Sequence, residues 1–478
     1  MPDIAPHANI FHKYSYTYSV VSVIFIALDV LSFYLSSSAC YLYTVGFNVN
    51  LFKYYMVFTT VSCIFYVVLS RSSNMYDIQN IIQPLRESDK IIISVITSIF
   101  LFLLVIYSLK VSDIYSNRWI YGFLLSTIVT VILFRFAGSR LLAELSRRRI
   151  IGRNVVVFGA GEQGKELLSK LQISLPHFIS VVGVFDDKHE LSGGEVEGYP
   201  VLGNLDALIR HARKNRVDDI IVALPWSAEQ RVVEVVDKLR ELPVNVFLSS
   251  DLAGFRLEFR PAPGHFDDLP LFEVVDRPIS GWSVVLKMFE DYILATLMII
   301  MLIPVFAIVA IAIKMNSPGP ILYKQKRLGF NNKEFSIYKF RSMYYQEVPE
   351  AVTVQAGKDD PRITKVGKFL RRSSIDELPQ LMNVLEGSMS LVGPRPHAID
   401  HNVEYGQDIR GYFTRHKVKP GITGWAQVNG WRGETDTLEK MEERVRHDIY
   451  YANNWSLLFD LQILIKTVLV APFQKSAY

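Results

Sequence analysis

The residues of this 478-residue chain that are best suited to chemistry are two adjacent carboxylates, Asp376 and Glu377. Basic residues surround the pair in the sequence, and guanidinium and ammonium groups pair readily with phosphate oxygens. One carboxylate of such a pair can attack phosphorus and form an acyl phosphate. The other can hold Mg²⁺, an ion that usually also takes phosphate oxygens of a substrate. On spacing alone, a solvated Asp-Glu pair at the start of a helix is the commoner explanation.

Several ordered motifs accompany this pair. They are KFRSM at 339–343, LRRSSIDELPQL at 370–381, VGPRP at 392–396 and KPGITGWAQVNG at 419–430, closed by Arg432. Together they resemble the catalytic domain of the bacterial sugar transferases, also called monotopic phosphoglycosyl transferases, over about residues 283–478. Segment 430–441 is most similar to the undecaprenyl-phosphate glucose-1-phosphate transferases of exopolysaccharide synthesis.

The resemblance implies a role for each matching position. Asp376 would attack the sugar-bearing phosphate of a UDP-sugar and release UMP, and undecaprenyl phosphate would then take the phosphosugar from the aspartate. Glu377 would be the Mg²⁺ ligand. Further positions are expected to contact the phosphates, the nucleotide or the lipid: Arg371, Lys339, Arg341, Arg395 and Arg432. Asp448 belongs to another motif of the family, and the resemblance does not define its role. Glucose is the expected hexose, and galactose is the alternative.

Composition and charge pattern indicate how this segment is held at a membrane. Half of the residues are hydrophobic, and the net charge of +4 is too small to imply a nucleic-acid partner. Apolar segments that can each cross a bilayer as a helix lie at 16–45, 51–69, 91–109 and 119–134. Basic residues are concentrated at 71–90 and after the fourth segment, which predicts that both ends of a four-helix bundle lie in the cytoplasm.

The segment at 151–280 predicts a Rossmann-like, CoA-binding-like domain. A strand is followed by a glycine turn with Gly159, Gly161 and Gly164, then a helix, and then a second strand that ends at Asp186. This is the order found in dinucleotide-binding folds. A bound nucleotide and a structural or regulatory role both stay open. A non-catalytic protein that senses a nucleotide and regulates polysaccharide synthesis is therefore the alternative to an enzyme.

A fifth apolar run, at about 288–314, contains Pro304 and has basic residues on both flanks. Because proline kinks a helix, this run predicts a re-entrant helix that enters one leaflet and returns. The family usually has serine before this proline, and here Ile303 takes its place.

The expected fold is thus a membrane protein of the α plus α/β class. It has a four-helix transmembrane bundle at 1–150, a Rossmann-like domain at 151–280 and a transferase domain at 281–478. The transferase domain would lie on the cytoplasmic face of the inner membrane. The expected partners are a UDP-sugar, undecaprenyl phosphate and membrane lipid, and a homodimer is left open.

Overall fold

The computed structural model forms two compact units. It describes residues 18–82, 84–147, 152–174, 179–188, 194–249, 271–345, 360–397, 399, 405–406, 408–431, 433 and 437–470. The first unit runs to residue 152 and includes 176–179, and the second comprises the rest of the chain from residue 153. The middle and C-terminal segments therefore belong to one unit. The predicted boundaries at 150 and 280 stay a prediction.

The first unit is built from helices. They are α1 (Tyr18–Thr44), α2 (Val49–Ser72), α3 (Ile78–Ile82), α4 (Ser88–Ser108) and α5 (Asn117–Arg147). All but the short α3 are long and apolar enough to cross a membrane. Helix α1 packs along α5 and α2 along α4, around buried rings that include Phe58, Trp119 and Phe123. These helices fit a membrane protein, while their arrangement as a transmembrane bundle stays a prediction.

A buried ion pair connects α1 to α5 inside the first unit. The Arg135 guanidinium donates to the Asp29 carboxylate at 2.6 and 3.1 Å, and the Tyr76 hydroxyl donates to the same carboxylate at 2.9 Å. Asp29 and Arg135 are both buried. A charge in an apolar interior is costly unless it is paired and hydrogen-bonded. This pair therefore favours one register of α1 against α5.

The middle segment alternates strands and helices. They are β1 (Arg153–Phe158), α6 (Glu162–Ser174), β2 (Ile179–Phe185), β3 (Glu195–Val196), β4 (Tyr199–Pro200), α7 (Leu205–Lys214), β5 (Asp219–Val222), α8 (Glu229–Leu239), β6 (Asn245–Ser249) and β7 (Leu271–Val275). Five strands form one sheet in the order β2–β1–β5–β6–β7. Strands β1, β5 and β6 are parallel and β7 is antiparallel to β6. The predicted order of strand, glycine turn, helix and strand is present.

The C-terminal segment begins with a long helix and continues in short elements. They are α9 (Trp282–Asn316), β8 (Leu322–Leu328), β9 (Glu334–Phe340), α10 (Lys365–Arg372), α11 (Gln380–Leu385), β10 (Ser390–Val392), β11 (Gly421–Thr423), α12 (Trp425–Val428), α13 (Leu438–Asn453) and α14 (Leu457–Val470). Strands β8 and β9 form an antiparallel hairpin, and β10 and β11 pair in parallel. Their shared core contains Ile337, Leu381, Leu391 and Tyr451.

Helix α9 is bound to the rest of this segment at both ends. Near its start, Asp291 accepts hydrogen bonds at 2.9 Å from the backbone N–H of Leu391 and the hydroxyl of Ser390. At its end, Arg341 donates at 2.7 Å to the carbonyl oxygens of Ser317 and Pro318. The helix has 35 residues and runs through Pro304 as one element. Re-entry into the membrane stays a prediction.

The middle segment packs against the C-terminal segment within the second unit. The Asn331 side chain donates to the Ala212 carbonyl oxygen at the end of α7, at 2.9 Å. The Arg213 guanidinium lies 5.4 Å from the centre of the Phe413 ring. Asn331 and Asn332 both adopt left-handed backbone conformations, with φ of +55°. Asparagine tolerates this conformation better than most residues, and it lets this turn reach the end of α7.

Candidate active site

The Asp-Glu pair lies in a 3₁₀ turn, Ile375–Glu377, directly after α10. Helix α10 begins where the Thr364 hydroxyl accepts a hydrogen bond from the Gly367 N–H at 2.8 Å, an N-cap. Gly367 packs on the backbone of the preceding segment, since a Cβ atom there would lie 1.9 Å from the Ser342 carbonyl oxygen. After the helix, Ser374 takes a left-handed conformation and turns the chain into the 3₁₀ turn.

Asn383 on α11 fixes the neighbouring strand β9. Its fully buried amide accepts a hydrogen bond from the Tyr338 N–H at 2.9 Å and donates to the Ser336 carbonyl oxygen at 2.8 Å. Lys339 is the next residue of that strand. The short chain between Glu377 and α11 thus places Lys339 opposite the carboxylate pair.

Glu377 is held by two cations. The Lys339 ammonium donates to its carboxylate at 2.7 Å, and the Arg395 guanidinium donates to both of its oxygens at 2.6 and 3.1 Å. Burial opposes ionisation of Glu377, but the charges of Arg395 and Lys339 outweigh it and hold the pKa of Glu377 well below its usual range. Glu377 is therefore a fixed carboxylate anion.

Asp376 has a different environment from its neighbour. Asp376 is 8% exposed. Within the part of the chain that the structure describes, its carboxylate forms no hydrogen bond or ion pair. Burial, followed by the charge of Glu377, raises the pKa of Asp376 to about 6. The charges of Lys339, Arg371 and Arg395 act in the opposite direction. The result is an ionisable carboxylate with unengaged oxygens beside three cations, which suits attack on a phosphate.

The structure brings only some of the predicted site residues to this pair. Lys339 and Arg395 contact Glu377, and Arg371 in the last turn of α10 is near enough for its charge to lower the pKa of Asp376. Arg341 is not among them, because its buried guanidinium caps the end of α9. Asp448 is also elsewhere and is buried against Arg415. Arg432 lies outside the described residues.

Two buried arginines near the site were not predicted from the motifs. Arg415 donates to the Asp448 carboxylate and to the Arg395 carbonyl oxygen, both at 2.7 Å. Arg444 donates to the carbonyl oxygens of Trp431 and Gly433 at 3.0 and 2.8 Å. Both lie outside the motifs at 339–343, 370–381, 392–396 and 419–430. Both stand among polar and charged neighbours, in TRHK at 414–417 and EERVRHD at 442–448, so nothing in the sequence pattern marks either arginine as buried.

The donor set at the pair fits Mg²⁺ in one respect. Proteins usually hold this ion through one or two carboxylates, while substrate phosphates complete its shell, and Glu377, the expected ligand, offers one. Among the described residues, no cluster of three or more His, Cys, Asp or Glu residues could form a closed metal cage. A carboxylate beside cations that can pair with phosphate suits an ion that is bound together with a phosphate substrate.

The glycine turn of the middle segment is closely packed. Gly159 has φ of +116°, and a Cβ atom there would lie 2.4 Å from the Ala223 carbonyl oxygen. A Cβ atom on Gly164 would lie 2.0 Å from the Gly159 carbonyl oxygen, while one on Gly161 would meet nothing within 4 Å. The Asp186 carboxylate accepts hydrogen bonds from the Ala160 N–H at 2.6 Å and the Lys188 N–H at 2.8 Å. One carboxylate oxygen of Asp186 therefore stabilises the glycine turn and the other stabilises the chain just after β2, and a nucleotide here stays a prediction.

Known proteins match this chain over most of its length. Residues 282–474 match the family model described as bacterial sugar transferase, and residues 71–250 match one described as CoA-binding domain. The UDP-glucose:undecaprenyl-phosphate glucose-1-phosphate transferase of Escherichia coli (strain K12) is 43% identical over 326 residues, 68% of this chain and 69% of that relative. This chain belongs to the bacterial sugar transferase family. The resemblance seen in the motifs is thereby confirmed.

Other members of the bacterial sugar transferase family differ in the sugar that their names carry. An enzyme from Xanthomonas campestris pv. campestris with the same name as the E. coli relative is 37% identical over 374 residues, 77% of each chain. The UDP-N-acetylgalactosamine-undecaprenyl-phosphate N-acetylgalactosaminephosphotransferase of Aeromonas hydrophila is 39% identical over 206 residues, 43% of this chain and 47% of that relative.

Proposed function

We propose that this protein transfers glucose 1-phosphate from UDP-glucose to undecaprenyl phosphate and releases UMP. The observation that carries this proposal is the division between two adjacent carboxylates. Glu377 is held by Lys339 and Arg395, while the Asp376 carboxylate is unengaged among the described residues. The names of the long relatives support the choice of substrates.

In the first step, a carboxylate oxygen of Asp376 attacks the phosphorus that bears glucose. The bond from that phosphorus to the oxygen bridging the two phosphates breaks, and UMP leaves with the bridging oxygen and its electron pair. An acyl phosphate that carries glucose remains on Asp376. No proton has to be removed from the nucleophile at neutral pH, because a pKa of about 6 leaves Asp376 mostly ionised.

In the second step, an oxygen of undecaprenyl phosphate attacks the same phosphorus. The bond to the Asp376 oxygen breaks, the free carboxylate is restored, and the product is undecaprenyl-diphosphate glucose. The three cations near the pair, Lys339, Arg371 and Arg395, can stabilise the negative charge of the phosphates in both steps. Arg395 is 30% exposed in its side chain, so part of its guanidinium can face a substrate while it holds Glu377.

We also propose that Glu377 holds Mg²⁺ when a substrate is bound. Such an ion would neutralise phosphate charge and lower the barrier to displacement at phosphorus. Glu377 supplies one carboxylate, and one or two are what this ion usually takes from a protein. Chelation with EDTA should therefore abolish UMP release, and added Mg²⁺ should restore it. Full activity after chelation would contradict this part of the proposal.

We further propose that α9 is re-entrant and that the active site lies at the cytoplasmic face of the inner membrane. Both ends of α9 contact the same compact segment, through Asp291 at one end and Arg341 at the other. A helix that crossed the bilayer would separate these contacts by about 30 Å of hydrocarbon. The exposed residues of α9 also form an apolar face suited to lipid, which includes Leu297, Met301 and Ile308.

The reaction is tested by its products. Purified protein with UDP-glucose, Mg²⁺ and undecaprenyl phosphate should release UMP and form a lipid-linked diphosphate sugar. Release of UDP would contradict the proposal and indicate an ordinary glycosyltransferase. UDP-galactose, used under the same conditions, tests the alternative hexose.

The covalent step is tested without the lipid acceptor. With UDP-glucose labelled at the phosphate that bears glucose, label should remain on the wild-type protein and be absent from Asp376→Asn. Asp206→Asn, which replaces an exposed aspartate on α7, is the matched control and should retain label. Equal labelling of Asp376→Asn would exclude Asp376 as the nucleophile.

A further inference from the structure

The loop that carries Arg395 is held in part through its carbonyl oxygens. Pro394 and Pro396 flank Arg395, and neither has a backbone N–H to donate. The Gly421 N–H donates to the Pro394 carbonyl oxygen at 2.9 Å. The Arg395 carbonyl oxygen accepts at 2.7 Å from the guanidinium of Arg415, a side chain from a different part of the sequence. Arg415 is therefore one of the groups that hold the backbone of this loop in place.

Arg415 is itself fixed and cannot reach a substrate. Its side chain is 0% exposed, and its guanidinium donates to one oxygen of Asp448 at 2.7 and 3.1 Å. A further nitrogen of the same group contacts the buried ring of His397. A planar guanidinium can serve such partners at once, whereas the point-like ammonium of lysine cannot reproduce the fork.

We infer that Arg415 is a positioning residue, which holds the Arg395 loop so that the Arg395 guanidinium grips Glu377. Asp448 orients Arg415 from behind. The inference deepens the proposed function and rests on it, because the Glu377 that Arg395 grips acts in that reaction. It also gives a role to Asp448, which is buried and paired with the Arg415 guanidinium.

The first test compares Arg415→Lys with wild type. We expect kcat for UMP release to fall by about 10- to 100-fold, as is usual when a supporting contact of a catalytic group is lost. KM for UDP-glucose should change little. Arg446→Lys, an exposed arginine on α13, is the matched control.

A double-mutant cycle separates positioning from a general loss of structure. If Arg415 acts through Arg395, then Arg415→Lys should cost little additional activity in an Arg395→Gln background. Fully additive losses, with unchanged thermal stability of each variant, would overturn the inference.

Hydrogen exchange gives a readout that does not depend on activity. Arg415→Lys should increase exchange in peptides covering 390–397 and 375–385, and Arg446→Lys should not. Unchanged exchange in both peptides would also overturn the inference. If the wild-type protein releases no UMP from a UDP-sugar, the proposed function fails, and the exchange experiment still decides whether Arg415 positions this loop.

Discussion

The protonation state of Asp376 determines when the proposed nucleophile can act. UMP release should fall as the pH drops through about 6, because a protonated carboxylic acid does not attack phosphorus and the pKa of Asp376 is raised to about 6. Lys339→Met removes a positive charge that lowers this pKa, so the acidic limb of the pH–rate profile should move to higher pH. Lys333→Met, on the same hairpin but exposed, should leave the limb in place. An unmoved limb in Lys339→Met would contradict this account.

The motifs predict which residues surround the carboxylate pair better than they predict what each one does. Lys339 and Arg395 form ion pairs with Glu377 in the structure, whereas the contacts with phosphate or nucleotide that the resemblance implies for them stay predictions. Arg341 is two residues after Lys339, a spacing that puts side chains on one face of a strand. Strand β9 ends at Phe340, however, and Arg341 turns away to cap α9. Spacing cannot show where a strand ends.

Helix α10 depends on a glycine contact that can be tested. Gly367→Ala would place a methyl group 1.9 Å from the Ser342 carbonyl oxygen, so the helix or the preceding segment must shift. We expect the free energy of unfolding to fall by about 1–3 kcal/mol, with a loss of activity because Asp376 follows the helix. Gly161→Ala is the control, since its methyl group meets nothing within 4 Å. Thermal unfolding in detergent, compared for the two variants, tests the contact.

The contribution of the ion pair between α1 and α5 to the stability of the first unit can also be tested. Asp29→Asn leaves Arg135 buried without its counter-charge and should lower stability by about 3–5 kcal/mol. The double variant Asp29→Leu/Arg135→Met removes both charges and should recover much of this loss. Thermal unfolding in detergent measures both effects. If the double variant is less stable than Asp29→Asn, the expected recovery is wrong, and the two side chains stabilise the bundle by more than neutralising each other's charge.

Hydropathy predicts where the apolar helices lie, but it misses the last turns of α5, which runs to Arg147 instead of ending at 134, and the first turns of α9. The run was expected at about 288–314, and the helix begins at Trp282. Its first turns bury charged residues, with Lys287 donating to Asp460 of α14 at 2.6 Å. An apolar pattern cannot reveal a helix whose beginning is held by buried ion pairs, because those contacts come from distant parts of the chain.

At the scale of the whole molecule, the side of the membrane reached by each end of α9 can be measured. In a variant without Cys40 and Cys63, single cysteines at Leu286 and Met315 should both react with an impermeant reagent from the cytoplasmic face. Phe47→Cys, in the exposed turn after α1, should react from the opposite face. Labelling of Leu286→Cys and Met315→Cys from opposite faces would show that α9 crosses the membrane.

The packing of the Asn331 turn and Phe413 against the end of α7 has a consequence for the history of the family. A relative that lost the middle segment would expose this surface to water, and selection would no longer maintain an asparagine aimed at a helix end or an aromatic ring beneath Arg213. These positions should therefore diverge in short lineages, while Asp376 and Glu377 persist in both kinds. An alignment of family members, grouped by whether they contain the middle segment, would show whether these two positions vary more in the members that lack it.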